Sequence, residues 1–318
     1  MSAIEAKNIS KVFSKTEFNW RNLFKSKKVE TTAVNKLNIT IEEGEFVGFL
    51  GPNGAGKTTF LKILSGIIHP SSGEAKVLGF TPWERDYKYL GQMAIVMGQK
   101  NQLWWDLPAI DSFNLLKEIY AIPTEVYKKN LDEIVEILDM KPLLTKALRN
   151  MSLGERMKCE LAASFLHSPK IIFLDEPTIG LDVISSHAIR KFLKKINEEK
   201  KTTMILTSHY MGDIEALCKR VVIINKGQKI YDGGLAELKN KYAPEKKIEI
   251  FLDNLEAKEK FAKLDCKNKK LVENNGIIRV QKEDLAQVIE QVFAVFPVEN
   301  ISITDPDTEE VIGKIFQK

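Results

Sequence analysis

An α/β fold is predicted for the larger part of this chain, with a small α+β domain after it. Three observations predict this. The apolar run EFVGFL (45–50) passes through the glycine-rich GPNGAGKTT into FLKILSGII, where Phe60, Ile63, Leu64 and Ile67 recur at helical spacing. A second apolar run, IIFLDEP (171–177), has the length of a buried strand and ends on two adjacent carboxylates, Asp175 and Glu176. After residue 240 the pattern changes to short alternating strands and amphipathic helices.

Composition sets the bounds. The 318 residues are 44% hydrophobic, enough for one large domain and a small one. A net charge of +4 with 28% charged residues does not by itself point to nucleic acid. The cysteines Cys159, Cys218 and Cys266 are few and scattered, with no CxxC, which argues for a reducing compartment and against a zinc site or disulfide frame. The opening MSAIEAKNIS does not read as a signal peptide, and no apolar run approaches the ~18–20 residues of a membrane span. Any membrane that this protein serves is expected to be crossed by another chain.

Strand, glycine loop and helix in succession form the context of a phosphate loop, GxxxxGK[ST]. Gly51, Gly54 and Gly56 permit backbone angles that other residues resist. Together with Pro52, Asn53, Ala55 and Thr59 they complete the loop, whose N–H groups can converge on phosphate oxygens at a helix N-terminus. Lys57 supplies a point charge for β and γ phosphates, and Thr58 a hydroxyl for Mg²⁺.

That loop gives the carboxylate pair a purpose. A charge is costly to bury without a partner, so an apolar strand that ends on Asp175 and Glu176 needs something positive near it. Asp175 can hold Mg²⁺, and Glu176, one residue on and pointing the other way, can orient the attacking water as general base. Between the two motifs lies NMSLGERMKCELAASFLHSP. Met157, Leu161 and Phe165 repeat at i, i+4 and i+8, which puts Ser152 and Gly154 at a helix N-terminus. Read alone, SLGE is a helix cap; read just before IIFLDEP, it is a second phosphate contact.

GPNGAGKTT, GQ (98–99), MSLGE, IIFLDEPTIGLD and TSH (207–209), in that order, resemble the ATP-binding cassette (ABC) ATPases. The motifs cover roughly residues 45–215, and flanking strands extend the match to 1–240, with a helical subdomain at about 98–165. The resemblance implies a P-loop ABC nucleotide-binding domain that works as a homodimer or with a paralogous subunit. In the family, the signature of one subunit closes on ATP held by the other. It implies that Ser152 and Gly154, with Leu153 and Glu155 between and beside them, contact the γ-phosphate in trans. Gln99 is implied as the loop glutamine sensing Mg²⁺ and water, Asp182 as an interface residue, His209 as the switch histidine and Phe13 as the adenine-stacking aromatic. The signature departs from the usual LSGGQ, since Leu153 replaces a glycine and Glu155 a glutamine. Ser152 and Gly154 are retained, so an active ATPase is expected.

Two further segments resemble a branch of bacterial export-type cassettes whose permeases are separate polypeptides. The insert from Ser14 to Thr32 has five basic residues against two acidic, with Trp20, Leu23 and Phe24 at i, i+3 and i+4. It is either a short helix on anionic lipid or a membrane partner, or a solvated excursion. A similar insert occurs in polysaccharide exporters, which keeps that branch open. NQLWWDLP (101–108) places two tryptophans just after Gln99, either packed inside or meeting a transmembrane subunit.

In the tail, residues 245–318 read as βαββαβ plus a helix, a ferredoxin-like pattern. KIEIFL alternates, LEAKEKFAKL is helical, and KLVENN and GIIRVQ form a hairpin with its turn at Asn275–Gly276. Leu285, Val288, Ile289, Val292, Phe293 and Phe296 share one helical stripe. VENISIT is a last strand, and PDTEEVIGKIF a terminal helix. This domain is either a dimer-stabilising appendage or a regulatory site. The expectation for the whole is an ATPase subunit on the cytoplasmic face of a bacterial membrane, held there by a separate permease and binding no nucleic acid. The alternative is a soluble ABC ATPase with a non-membrane partner. A single cassette without long heptad repeats argues against ribosome- and DNA-acting relatives, and a signature before FLDEP argues against a P-loop kinase.

Overall fold

The computed structural model describes residues 2–18, 26–98, 100–208, 210–242, 245–266, 268–305 and 308–316. The chain divides into two compact units, Met1–Gly233 and Gly234–Lys318.

The first unit opens with β1 (Ser2–Phe18) and β2 (Ser26–Glu42), an antiparallel pair. β3 (Phe46–Leu50) runs into the glycine loop and α1 (Lys57–Leu64). β4 (Ser72–Val77) returns along β1 and completes a three-stranded sheet, order β2-β1-β4. After α2 (Tyr87–Leu90) and β5 (Met93–Met97) the chain leaves the sheet for three helices, α3 (Ala109–Ile119), α4 (Thr124–Leu138) and α5 (Leu153–Phe165). It returns through β6 (Ile171–Asp175), α6 (Val183–Lys200), β7 (Thr203–Thr207), α7 (Met211–Leu217), β8 (Arg220–Asn225) and β9 (Gln228–Gly234). The resulting six-stranded sheet has the order β5-β6-β7-β3-β8-β9, with β5 through β8 parallel to their neighbours.

Strands covered on both faces read as unbroken apolar runs. FVGFL of β3 and TMILT of β7 are buried at every residue, and IIFLD of β6 until its terminal aspartate. Phe60, Ile63 and Leu64 of α1 are buried as their spacing predicts, but Ile67 lies exposed beyond the helix. The helix stops because Gly66 turns to φ +73° against the carbonyl of Pro82. Met157, Leu161 and Phe165 of α5 are all buried.

The described part of the insert is its two flanks. These are strand: the β1–β2 ladder continues from Phe13 opposite Thr31 to Phe18 opposite Ser26. Cross-strand pairing propagates along both flanks and supplies main-chain hydrogen bonds that a surface helix would have to make within itself. Trp20, Leu23 and Phe24 lie outside the described residues.

The second unit begins with α8 (Leu235–Tyr242), followed by β10 (Glu245–Phe251), α9 (Leu255–Lys263), β11 (Lys269–Val272), β12 (Asn275–Gln281), α10 (Leu285–Phe293), β13 (Ile301–Thr304) and α11 (Thr308–Phe316). Its antiparallel sheet has the order β11-β12-β10-β13. Ile248, Ile250, Phe261, Ile278, Val292 and Phe296 form the core, with Leu285, Val288 and Ile289 packed against it and Phe293 exposed. The hairpin turn falls at Glu273–Asn274, two residues earlier than the Asn-Gly pair suggests, because Val272 pairs with Asn275. Glu273 takes the left-handed conformation, φ 54°. Gly276 serves packing instead: a Cβ there would lie 2.5 Å from the Phe261 ring. A strand glycine often marks such a close approach.

Candidate functional site

β3 delivers the chain into a loop wedged between two neighbouring strands. A Cβ on Gly51 would lie 2.3 Å from the carbonyl oxygen of Ile224 in β8. Gly56, at φ +104°, leaves 2.1 Å between its hypothetical Cβ and the carbonyl oxygen of Ala33 in β2. Only glycine fits either place, so the loop conformation is set by both walls. Gly56 is also the N-cap of α1, with no side-chain cap and no acidic residue in the first turn. The first N–H groups of a helix lack intrahelical partners and bear partial positive charge. They open on a cavity of about 330 Å³ lined by Thr31, Thr32 and Ala33 of β2, residues 53–59 and Glu176.

Lys57 is 6% exposed and donates from Nζ to the carbonyls of Gly51 (2.6 Å) and Pro52 (3.2 Å). Burial lowers its pKa, while the negative charges of Glu176 and Asp175 oppose that shift. Here is the positive partner that the carboxylate pair requires. Asp175 Oδ1 accepts from the Thr58 hydroxyl at 3.1 Å and from the Thr207 hydroxyl at 2.6 Å. Glu176, at φ 54°, donates its N–H to Thr207 O (3.0 Å) and Oγ1 (3.1 Å), and is part of the cavity lining. Gly98 N–H donates to Asp175 O at 2.8 Å, which joins the end of β5 to the same corner. Thr58 and Asp175 form an all-oxygen donor pair beside the loop, a set that suits a hard cation such as Mg²⁺.

Phe13 lies on β1 opposite Thr31, a residue of the cavity wall, and is 44% exposed with Lys11 Nζ 5.3 Å from its ring centroid. Gln99 and His209 lie outside the described residues. Ser152 caps α5, accepting from Glu155 N–H at 3.2 Å, while Glu155 Oε2 accepts from Ser152 N–H at 2.7 Å. This reciprocal capping box explains the glutamate in MSLGE. Lys146 also bonds to Glu155, at 2.9 Å, and that bond leads the interactions holding the Glu155 carboxyl below its ordinary value. A hydroxyl that accepts in this way still has its own proton to donate. Gly154 packs on α6, where a Cβ would lie 2.2 Å from Ser185 Oγ, and Leu153 is exposed. Asp182 caps α6 through Ser185 N–H (2.8 Å) and Oγ (2.7 Å), bonds that lower its pKa. Among the described residues, those lining the phosphate-loop cavity include none of Ser152, Leu153, Gly154, Glu155 or Asp182. One chain therefore gathers the loop and the carboxylates, and holds the signature as a separate, capped surface.

Sequence reading missed three contributors. Thr207, fully buried, serves both Asp175 and Glu176; its signal was its place in TSH. Buried Asp213 accepts from Thr178 Oγ1 (2.5 Å), Ser208 Oγ (2.8 Å) and Arg190 Nη1 (2.9 Å), tying the segment after Glu176 to the one before His209. Glu160, two turns into α5, had no signal beyond being a charge among apolar neighbours. A larger cavity, about 790 Å³, lies at the opposite ends of β6 and β7, beside Lys170, Thr202 and Thr203, and contains none of these groups.

The profile of the family described as ABC transporter matches residues 34–179. The chain is 32% identical over 232 residues to the ABC transporter ATP-binding protein NatA of Bacillus subtilis, covering 73% of this chain and 94% of that one. It is 30% identical over 277 residues to the uncharacterised ABC transporter ATP-binding protein YhcH of the same organism, covering 87% and 88%. Identity to ABC transporter A family member 8 of Dictyostelium discoideum is 33% over 250 residues, but this chain spans only 29% of that protein. Two solved structures share the fold. One is a dimeric ATP-binding cassette in a post-hydrolysis state bound to ADP and Pi, with TM-score 0.61, 24% identity and coverage of 73% and 98%. The other is an ATP-binding subunit of an ABC transporter, with TM-score 0.63, 23% identity and coverage of 76% and 93%.

Proposed function

The chain belongs to the ABC transporter family as an ATP-binding subunit, and from that premise we propose that it hydrolyses ATP to drive a separate membrane permease, as part of an exporter. The observation that carries the reading is the convergence of an uncapped helix N-terminus, buried Lys57 and Glu176 on one cavity, with Asp175 hydrogen-bonded to Thr58 of its wall. The loop N–H groups and Lys57 bind the β and γ phosphates of ATP. Thr58 and Asp175 would hold Mg²⁺, which when bound would neutralise phosphate charge. Phe13 stacks on the adenine. Glu176 accepts the proton of a water attacking the γ-phosphate, the bond from the γ-phosphorus to the β,γ-bridging oxygen breaks, and ADP departs with that oxygen. Gln99 and His209 contact the reacting phosphate.

Ser152 and Gly154 of a second subunit complete the site. Their place on a capped surface away from the cavity of their own chain supports that arrangement, as does the dimeric state of the cassette bound to ADP and Pi. Closure over two ATP molecules and reopening after hydrolysis move the permease through the exposed Trp104–Trp105 face. In this reading the chain is a peripheral subunit on the cytoplasmic face of a bacterial membrane; among the described residues no helix is long and apolar enough to cross one. The second unit is read as ferredoxin-like, on the support of its sheet order and βαββαβ succession.

Glu176→Gln tests the reading. It should bind ATP with an affinity like that of the parent, lose at least 100-fold in turnover, and accumulate as an ATP-bound dimer in size-exclusion chromatography. Turnover equal to the parent's would remove Glu176 from the reaction.

A further inference from the structure

The segment from Lys100 to Leu107 has no regular secondary structure, yet its main chain is anchored nearly residue by residue. Gln102 and Leu103 both donate their N–H groups to Glu160 Oε1, at 2.9 and 3.2 Å. Trp104 N–H donates to Ser112 Oγ at 3.4 Å, and Trp105 O accepts from Arg149 N–H at 3.0 Å. The Gln102 side chain reaches back to the sheet, Nε2 donating to Ile95 O of β5 at 2.6 Å. One turn before Glu160 on α5, the Arg156 guanidinium lies 5.0 Å from the centroid of Trp105.

Glu160 is 3% exposed, and among the described residues its buried Oε2 has no hydrogen-bond partner. Its neighbours Cys159, Leu161 and Ala162 show that this stretch of α5 is otherwise apolar core. A carboxylate in such a place is costly, and a helix that needed only packing would be served by leucine. What leucine cannot do is accept two consecutive N–H groups from a loop. Outside that attachment, Trp104 and Trp105 are each 43% exposed. Six and eight residues toward the N-terminus, about 9 and 12 Å along the helix, stand Gly154 and Ser152.

We propose that Glu160 is a positioning residue for hydrolysis: it fastens the segment Gln102–Trp105 to α5, so that displacement of the Trp104–Trp105 face is delivered to the helix end bearing Ser152 and Gly154. The proposal rests on the reading of those two residues as phosphate contacts in a closed dimer. A ring contact such as Arg156 on Trp105 can slide, whereas two N–H bonds to one carboxylate oxygen fix the segment along the helix and across it.

The test uses the full chain with Glu160→Leu and Glu160→Gln. Leucine fills the site with apolar volume and keeps the helix packed, but offers no acceptor; glutamine keeps the acceptor and removes the charge. In Glu160→Leu, amide hydrogen exchange should quicken at least tenfold at Gln102 and Leu103 and at least threefold at Glu155 and Arg156. Its kcat for ATP should fall about tenfold while the ATP Kd stays within twofold of the parent. Glu160→Gln should restore both exchange and kcat to within twofold. Unchanged exchange at Glu155 and Arg156 in Glu160→Leu, or a Glu160→Gln variant as impaired as Glu160→Leu, would overturn the proposal. A parent chain without ATPase activity would instead refute the functional reading, and the exchange comparison would still decide the attachment.

Discussion

Replacing Thr207 by valine removes one oxygen and leaves the shape of a fully buried side chain nearly unchanged. That oxygen makes two bonds. It donates to Asp175 Oδ1 at 2.6 Å and accepts from Glu176 N–H at 3.1 Å. The first is a hydrogen bond to a carboxylate in a half-buried site, about 1.5–3 kcal/mol net. The second is worth less, because Glu176 N–H keeps the Thr207 carbonyl at 3.0 Å; about 0.5 kcal/mol is a fair figure. The sum is about 2–3.5 kcal/mol, equivalent to a Tm lower by about 4–14 °C for a unit of this size. Thermal unfolding followed by circular dichroism reads the stability, with Thr207→Ser, which keeps the hydroxyl, as the control. Turnover reads the function. If half of the lost energy had been fixing Asp175 and Glu176 for reaction, kcat falls about tenfold. A Thr207→Val protein with Tm within 1 °C of the parent and undiminished kcat would refute the view that this hydroxyl organises the carboxylate pair.

Three other outcomes are expected. Gly56→Ala forces a Cβ to 2.1 Å from Ala33 O at φ +104°; nucleotide titration should show ATP affinity at least 100-fold weaker, and parental affinity would show that the loop adapts. Gly276→Ala brings a Cβ to 2.5 Å from the Phe261 ring and should destabilise the second unit by about 1–3 kcal/mol, with exchange quickened in β10 and β12 while ATP affinity stays unchanged. Stability should also depend on Glu160. Burial raises its pKa from 4.5 to about 6 against the pull of the Gln102 and Leu103 N–H groups, so the folded chain holds this proton more tightly than the unfolded one. The resulting stabilisation is complete below pH 4.5 and lost as pH rises through about 6, a change of about 2 kcal/mol. Glu160→Gln should remove that component from the difference in stability between pH 5 and pH 7.5, and an unaltered difference would assign it to other groups.

The phosphate loop was legible because its determinants are local. From Gly51 to Thr59 the chain contains its own turn, its own cation and its own helix start, and the apolar runs on either side announce a strand and a helix. The carboxylate pair was legible for a related reason: two charges closing a buried strand are intelligible once a cation is found for them. Less could be read where long-range pairing competes with local preference. The flanks of the insert from Ser14 to Thr32 are strands paired with each other, a pairing that no local pattern in either flank announces. Asn275–Gly276 looks like a hairpin turn, but Gly276 is taken by the Phe261 ring and the turn moves to Glu273–Asn274.

By itself the sequence determined the phosphate loop between its strand and helix, the succession of elements from β10 to α11 and the family, because each is written in residue types at short, fixed spacing. The tertiary structure alone decided which groups serve that chemistry from a distance. Thr58 meets Asp175 across 117 positions, Thr207 meets it across 32, and Glu160 meets Gln102 across 58. In these contacts the donor and the acceptor lie on different elements. No spacing within one helix or strand encodes them; they exist only once parallel strands and packed helices bring distant residues to one corner.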